Sequence, residues 1–290
     1  ADARHKLVFG HHPVFPVNGF GGAYQREIGP DYTATFWDLL VEHGVTAYIC
    51  SHILAFDVQV HRGVLQITTA GAGTAHRMPE GVEYLHLVQM ALDAEGLRYQ
   101  VVDTDGVTRE SLEWPADLAG EIDWALPETQ GSKPAQEGFG DQVQLWRFRG
   151  HLDGDTAGPA ETLLEAWDPG PALAPLWIGI TGPARKLTVN LAPEAGRSPH
   201  SWFGPSLDTT GPFDLHVALH PAMGPGGILW RWHGHGAWTT LEGASPWGAE
   251  RLVPPLHWSF GQGRKGPTDR PFQGHDFAAF IPPARKAVSG

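Results

Sequence analysis

Arg4-His5-Lys6-Leu7-Val8-Phe9-Gly10-His11-His12-Pro13 and Tyr48-Ile49-Cys50-Ser51-His52-Ile53-Leu54 decide how the first part of this chain is read. Each is a short apolar run that stops abruptly on histidine. Such runs read as buried strands. In an open α/β sheet the carboxyl ends of the strands are where ligands and chemistry gather. Two strand ends carrying imidazoles therefore point to a metal site, because neutral imidazole is a common ligand for zinc, iron and related ions.

Outward from those two stretches, residues 1–105 alternate strand and helix. Lys6–Phe9 and Val45–Cys50 are the buried strands. Val14–Pro30, rich in glycine, reads as a loop. Asp31–His43 carries Phe36, Leu39 and Leu40 at helical spacing and stops at Gly44, a helix stop signal. Val58–Val60 and Val64–Thr69 flank His61-Arg62-Gly63 as a hairpin. Gly71-Ala72-Gly73 reads as a tight turn. Tyr84–Leu92 and Leu97–Val102 make a second hairpin. Residues 106–141, with Pro115, Pro127, Pro134 and several acids, read as an inter-domain linker. Its Trp114 and Trp124 suggest that it lies against a domain.

From residue 142 to 290 the pattern changes. Short runs recur at Val143–Phe148, Leu163–Trp167, Leu176–Ile180, Lys186–Leu191, Ser201–Phe203, Phe213–Leu219, Gly227–Trp232, Ala237–Leu241 and Leu256–Phe260. Turn residues separate them and no helical period appears. This predicts an all-β jelly-roll sandwich.

The composition agrees. The chain has 290 residues, 41% hydrophobic, with 12 Trp and 13 Phe to build cores. Its 37 Gly and 25 Pro favour turns and strands over long helices. A formal net charge of -12 argues against nucleic acid as a partner. Up to residue 130 there are 7 basic and 18 acidic residues, against 13 and 14 beyond it, an asymmetry that supports a domain boundary. Cys50 is the only cysteine, so no internal disulfide forms, which is neutral on compartment. No stretch is long enough for a membrane span. No signal-peptide pattern opens the sequence, and the chain reads as starting inside a domain. Location stays open, with an extracellular or periplasmic setting favoured.

Leu7–Phe15 resembles the Gly-His-x-Pro block of calcineurin-like metallophosphoesterases, nearest the purple-acid-phosphatase branch. Tyr48–Leu54 resembles the family's last block, strand-Gly-His-x-His. The hairpin Val58–Thr69 and the turn Ala70–Gly73 resemble the family's segment after that block. The resemblance covers residues 1 to about 105 and implies a partial α/β metallophosphoesterase sandwich. It implies that His11 and His52 bind one ion of a dimetal centre (Fe, Zn or Mn) that hydrolyses phosphate esters. It places His12 and Asn18 near the substrate. The family's second histidine is Leu54 here, and Ser51 replaces its glycine. The earlier blocks, Asp-x-His, Gly-Asp-x-x-Asp and Gly-Asn-His, would lie upstream of Ala1. The resemblance thus implies an incomplete dimetal site in this chain, inactive by itself. Asp57 offers a substitute carboxylate.

Read from the residues alone, His11 and His52 are either ligands or strand-end histidines bonded to backbone, and Asn18 an ordinary loop residue. His61, His76 and His86 have no ligand spacing, and Cys50 reads as an inert core thiol. Phe213–Arg231 is similar in pattern to concanavalin-like or laminin-G-like domains, which implies glycan binding, sometimes with Ca²⁺, or packing alone. Trp230, Trp232, His233 and His235 are the candidate carbohydrate residues. His233 and His235 would share a strand face, and the alternative is a Trp-rich core. Asp153 and Asp155 suggest a Ca²⁺ loop or a solvated turn. The alternative to an enzyme is a degenerate phosphoesterase fold, or a sandwich acting as a carbohydrate-binding module. The expected behaviour of the chain is a partly molten first hundred residues beside an independently folding 142–290.

Overall fold

A computed structural model describes residues 3–18, 27–73, 83–94, 96–114, 127–134, 143–154, 160–169, 175–192, 199–207, 210–220, 227–234, 236–243 and 256–281. Strands dominate, with one α-helix among the described residues.

The first part contains β1 (Leu7–Phe9), α1 (Pro30–Glu42), β2 (Ala47–Cys50), β3 (Phe56–His61) and β4 (Val64–Thr69). They form a mixed sheet of order β1-β2-β4-β3. β1, β2 and β4 run parallel, and β3 closes the edge as an antiparallel hairpin with β4. Along β2 the side chains alternate. Ala47 and Ile49 enter one core while Tyr48 and Cys50 enter another under the helix. That helix begins with Pro30, whose fixed φ suits a first helical turn, and ends where Gly44 takes φ +59°. It buries Trp37 and Leu40 against the sheet.

Next come β5 (His86–Leu92), β6 (Leu97–Asp103) and β7 (Thr108–Trp114), an antiparallel meander. β7 falls inside the stretch read as a linker. Its Thr-Arg-Glu-Ser-Leu-Glu-Trp alternates, so Glu110, Leu112 and Trp114 face inward, with Leu112 and Trp114 buried in the core. β8 (Gly131–Pro134), also in that stretch, pairs with β18 (His257–Phe260). The segment between the two halves is therefore partly built into their sheets. Trp124 lies outside the described residues.

The rest is a two-sheet antiparallel sandwich, as the run of short strands predicts. One sheet has seven strands: β17 (Glu242–Gly243), β13 (His200–Ser206), β12 (Lys186–Leu191), β11 (Leu176–Thr181), β10 (Ala160–Trp167), β18 and β8. The other has five: β16 (Thr239–Thr240), β15 (Ile228–Trp232), β14 (Gly211–Leu219), β9 (Gln144–Leu152) and β19 (His275–Phe280). Between them lies the largest core, with Trp146, Phe148, Trp202, Trp258 and Phe260 almost wholly buried.

The five-stranded sheet is also covered on its other face. Val217, Leu219 and Ile228 point into the sandwich. Their neighbours Ala218 and Leu229, with Trp238, point the other way, into one core with Ile49, Val58, Val60, Leu65, Tyr99 and Trp114. Hydrogen bonds stitch the same seam. Thr240 Oγ1 donates to the Val60 carbonyl at 3.1 Å, and the Gly63 amide to the Trp238 carbonyl at 3.2 Å. Asn18 ties the loop after β1 to the sandwich through the Leu241 carbonyl and the Gly243 amide. Among the described residues, the first part thus packs onto the sandwich through a shared core and these hydrogen bonds. The reason is the apolar second face of β14 and β15, which needs a cover.

Candidate metal centre

Because β1 and β2 are adjacent and parallel, their carboxyl ends leave the sheet on the same edge. The ladder continues one step beyond each strand. The Gly10 amide donates to the Ile49 carbonyl at 3.0 Å, and the Ser51 amide to the His11 carbonyl at 3.1 Å. A side chain at position 10 would collide with the Tyr48 hydroxyl, so glycine there lets the chain pass. That hydroxyl in turn donates to the His12 carbonyl at 2.6 Å and fixes the turn.

These constraints bring three imidazoles together. His11 Nε2 and His52 Nδ1 are 2.9 Å apart. The rings of His12 and His52 lie 3.9 Å apart between centroids. One ring nitrogen from each of the three falls within 4.8 Å of the others. A tetrahedral zinc ion with bonds of about 2.0–2.1 Å holds its donors about 3.3 Å apart, a spacing inside this range. On the other side of its ring, His11 Nδ1 is 3.2 Å from Ser51 Oγ. A second bond of this kind fixes the orientation and tautomer of a ligating histidine. His52 has φ 60°, left-handed backbone in which a non-glycine residue is uncommon. Strain of this kind gathers at functional sites.

The structure thus joins the two predicted ligands and adds His12, which the resemblance sets at the substrate rim. Its adjacency to His11 is the signal the sequence offers. Leu54, which the resemblance sets in the position of a further histidine, is half-buried and supplies no donor. Asp57 does not join the cluster. It is buried on β3, where Oδ2 accepts from Gln59 Nε2 at 2.7 Å, and burial raises its carboxyl to about 6. The Asn18 amide, expected near substrate, is engaged by the sandwich backbone at both ends.

His61 and His86, which have no ligand spacing, have local tasks. Burial pushes His61 down to about 3; it stacks on Phe15 and meets Gln59 Oε1 at 3.0 Å. It borders a groove of about 600 Å³ beside α1, shared with Val14, Trp37, Asp38 and Arg62. No pattern in the sequence announces that groove. His86 lies between Thr69 Oγ1 and the Tyr84 carbonyl. His76 lies outside the described residues. Cys50 is buried, and its thiol is pushed up to about 12.

In the sandwich, Trp230 and Trp232 rest against the core as a T-shaped pair, 5.5 Å between centroids. β15 ends at Trp232, and Gly234 turns the chain with φ 77°, so His233 is a turn residue. His235 itself lies outside the described residues, as does Asp155. His233 Nδ1 is 3.0 Å from Nε2 of buried His216, whose Nδ1 accepts from Arg231 Nε at 3.1 Å. The Arg231 guanidinium also sits over Trp238, 4.6 Å from the ring centroid.

Burial, then the charge of Arg231, lowers His216 to about 3. In the unfolded chain histidine titrates near 6.5. The stabilisation from keeping His216 neutral is therefore complete above pH about 6.5 and is lost as pH falls toward 3. Asp57, raised to about 6, acts in the opposite sense, so the useful quantity is a difference. The gap in denaturation midpoint between wild type and His216→Gln is expected to narrow steadily from pH 6.5 downward. A gap constant with pH would show that His216 titrates normally in the fold.

No protein-family model matches the chain, and no curated protein matches its sequence.

Proposed function

We propose that residues 1 to about 105 carry part of a metal-dependent phosphoric ester hydrolase of the calcineurin-like type, with His11 and His52 as ligands and His12 beside them. The supporting observation is the convergence of these three imidazoles at the carboxyl edge of two parallel strands. Three imidazoles suit zinc, iron and neighbouring ions. A bound ion of this type would supply hydroxide at neutral pH and polarise a phosphoryl oxygen. The chain's own contribution is to hold His11 through Ser51, set His52 on a strained turn and fix the His12 backbone through Tyr48.

A second reading is a degenerate phosphoesterase fold kept for binding, which Leu54 favours. Glycan recognition by the sandwich has less support, because Trp230 and Trp232 are packed against its core. Equilibrium dialysis against zinc, manganese and ferrous iron, followed by an aryl phosphate assay, separates these readings. Hydrolysis that disappears in His11→Ala supports the hydrolase. Metal binding without turnover supports the cluster as a metal site that is incomplete for hydrolysis in this chain. Failure to hold any of the three ions at the histidine cluster would sink both.

A further inference from the structure

A second group of metal-ligating side chains sits far along the chain from the first. We propose that His151, Asp153 and His275 form a site for a divalent transition ion of the zinc class on the five-stranded sheet. His151 is on β9 and Asp153 follows its end, two residues on, so their side chains leave the same face. The intervening Leu152 is buried in the sandwich core, which turns both away from it. His275 pairs directly with His151 across the ladder, and paired residues share a face.

The distances fit an ion. The His151 and His275 rings stack at 4.4 Å, and His275 Nδ1 is 3.2 Å from Asp153 Oδ1. One donor atom from each of the three lies within 4.8 Å of the others. With His275 ligating through Nδ1, its Nε2 faces the Asp276 carboxylate at 3.8 Å. Two imidazoles and one carboxylate are a zinc-type donor set, unlike the all-oxygen shell of calcium. Three protein ligands at the surface leave a coordination position open to water or to an outside donor.

The backbone is shaped to deliver His275. Asp276 has φ 55°, and the pairing of β19 with β9 shifts register between His275 and Ala278. This is a β-bulge, a device that re-aims a side chain. Gly274, just before it, lies so close to β9 that a Cβ would strike the His151 carbonyl. Upstream, Glu161 and Glu165 pin the approaching segment through the Gln273 amide at 2.9 Å and Arg270 Nη2 at 2.7 Å. The ion would clip β19, the sheet's edge strand, to the end of β9.

Equilibrium dialysis of the full chain against zinc tests this. The variants are His275→Ala, His151→Ala, Asp153→Asn and, as a control on the other centre, His52→Asn. The expected result is that each histidine variant loses one zinc equivalent that His52→Asn retains. Asp153→Asn should bind that zinc roughly 10-fold or more weakly, with circular dichroism unchanged. Excess calcium should not displace it. The site is refuted if the His151 and His275 variants bind as much zinc as the wild type. It is also refuted if Asp153→Asn keeps full affinity, or if calcium displaces the ion.

Discussion

Replacing His52 with asparagine is expected to weaken zinc binding at the His11–His12–His52 cluster by at least about 100-fold, since orienting partners alone are worth 10–100-fold and a direct ligand should not be worth less. Asparagine is the informative choice because His52 occupies left-handed backbone. Asparagine tolerates that region, whereas alanine would add a conformational penalty to the lost ligand. His52→Gly removes the ring and relaxes the backbone together, and should show the same loss of zinc with stability equal to or above wild type. His12→Ala decides whether the third imidazole ligates. A tenfold or larger loss makes it a ligand, and unchanged affinity returns it to the substrate rim. Isothermal titration with zinc reads all three. Unaltered affinity in both His52 variants would remove this residue from the metal site.

Leu229→Ala is expected to cost about 2–5 kcal/mol, the range for deleting a buried leucine side chain. Leu229 is wholly buried, on the face of β15 that meets β2, β3, β4 and β6. The loss should therefore be felt on both sides of the seam. In hydrogen exchange, amides of β4 should lose protection along with those of β14. Denaturation followed by tryptophan fluorescence should remain a single transition, moved to lower denaturant. If β4 kept its protection while β14 lost it, the two halves would be energetically separate.

The shared core itself is not legible in the sequence, for a physical reason. Val217-Ala218-Leu219 and Ile228-Leu229 are unbroken apolar runs, and such runs belong to strands buried on both faces. Read only as evidence for a strand, they carry no warning that a second layer covers the sheet. The two histidine-tipped strands are legible because an apolar run and its stop are local signals, and parallel pairing then forces their ends together; only β2 is buried as expected, while β1 is an edge strand with Phe9 exposed. β7 escapes a sequence reading because its charges outnumber its apolar residues, although every second side chain is the signature of a half-exposed strand. β19 escapes it because Asp276 interrupts its alternation at the bulge. The grouping of His151 with His275 depends on strand pairing across most of the sandwich, and no local pattern encodes that.

Cys50 gives the molecule a practical property. The only thiol of the chain is enclosed in the core between the sheet and α1, close to Thr68 Oγ1, and burial pushes its ionisation up to about 12. Thiolate is the species that reacts with maleimides and iodoacetamides, and almost none forms there at neutral pH. The protein therefore serves unmodified as a cysteine-silent background. A single cysteine introduced on an exposed turn would accept a fluorophore or spin label at one defined position, with no need to remove the native residue.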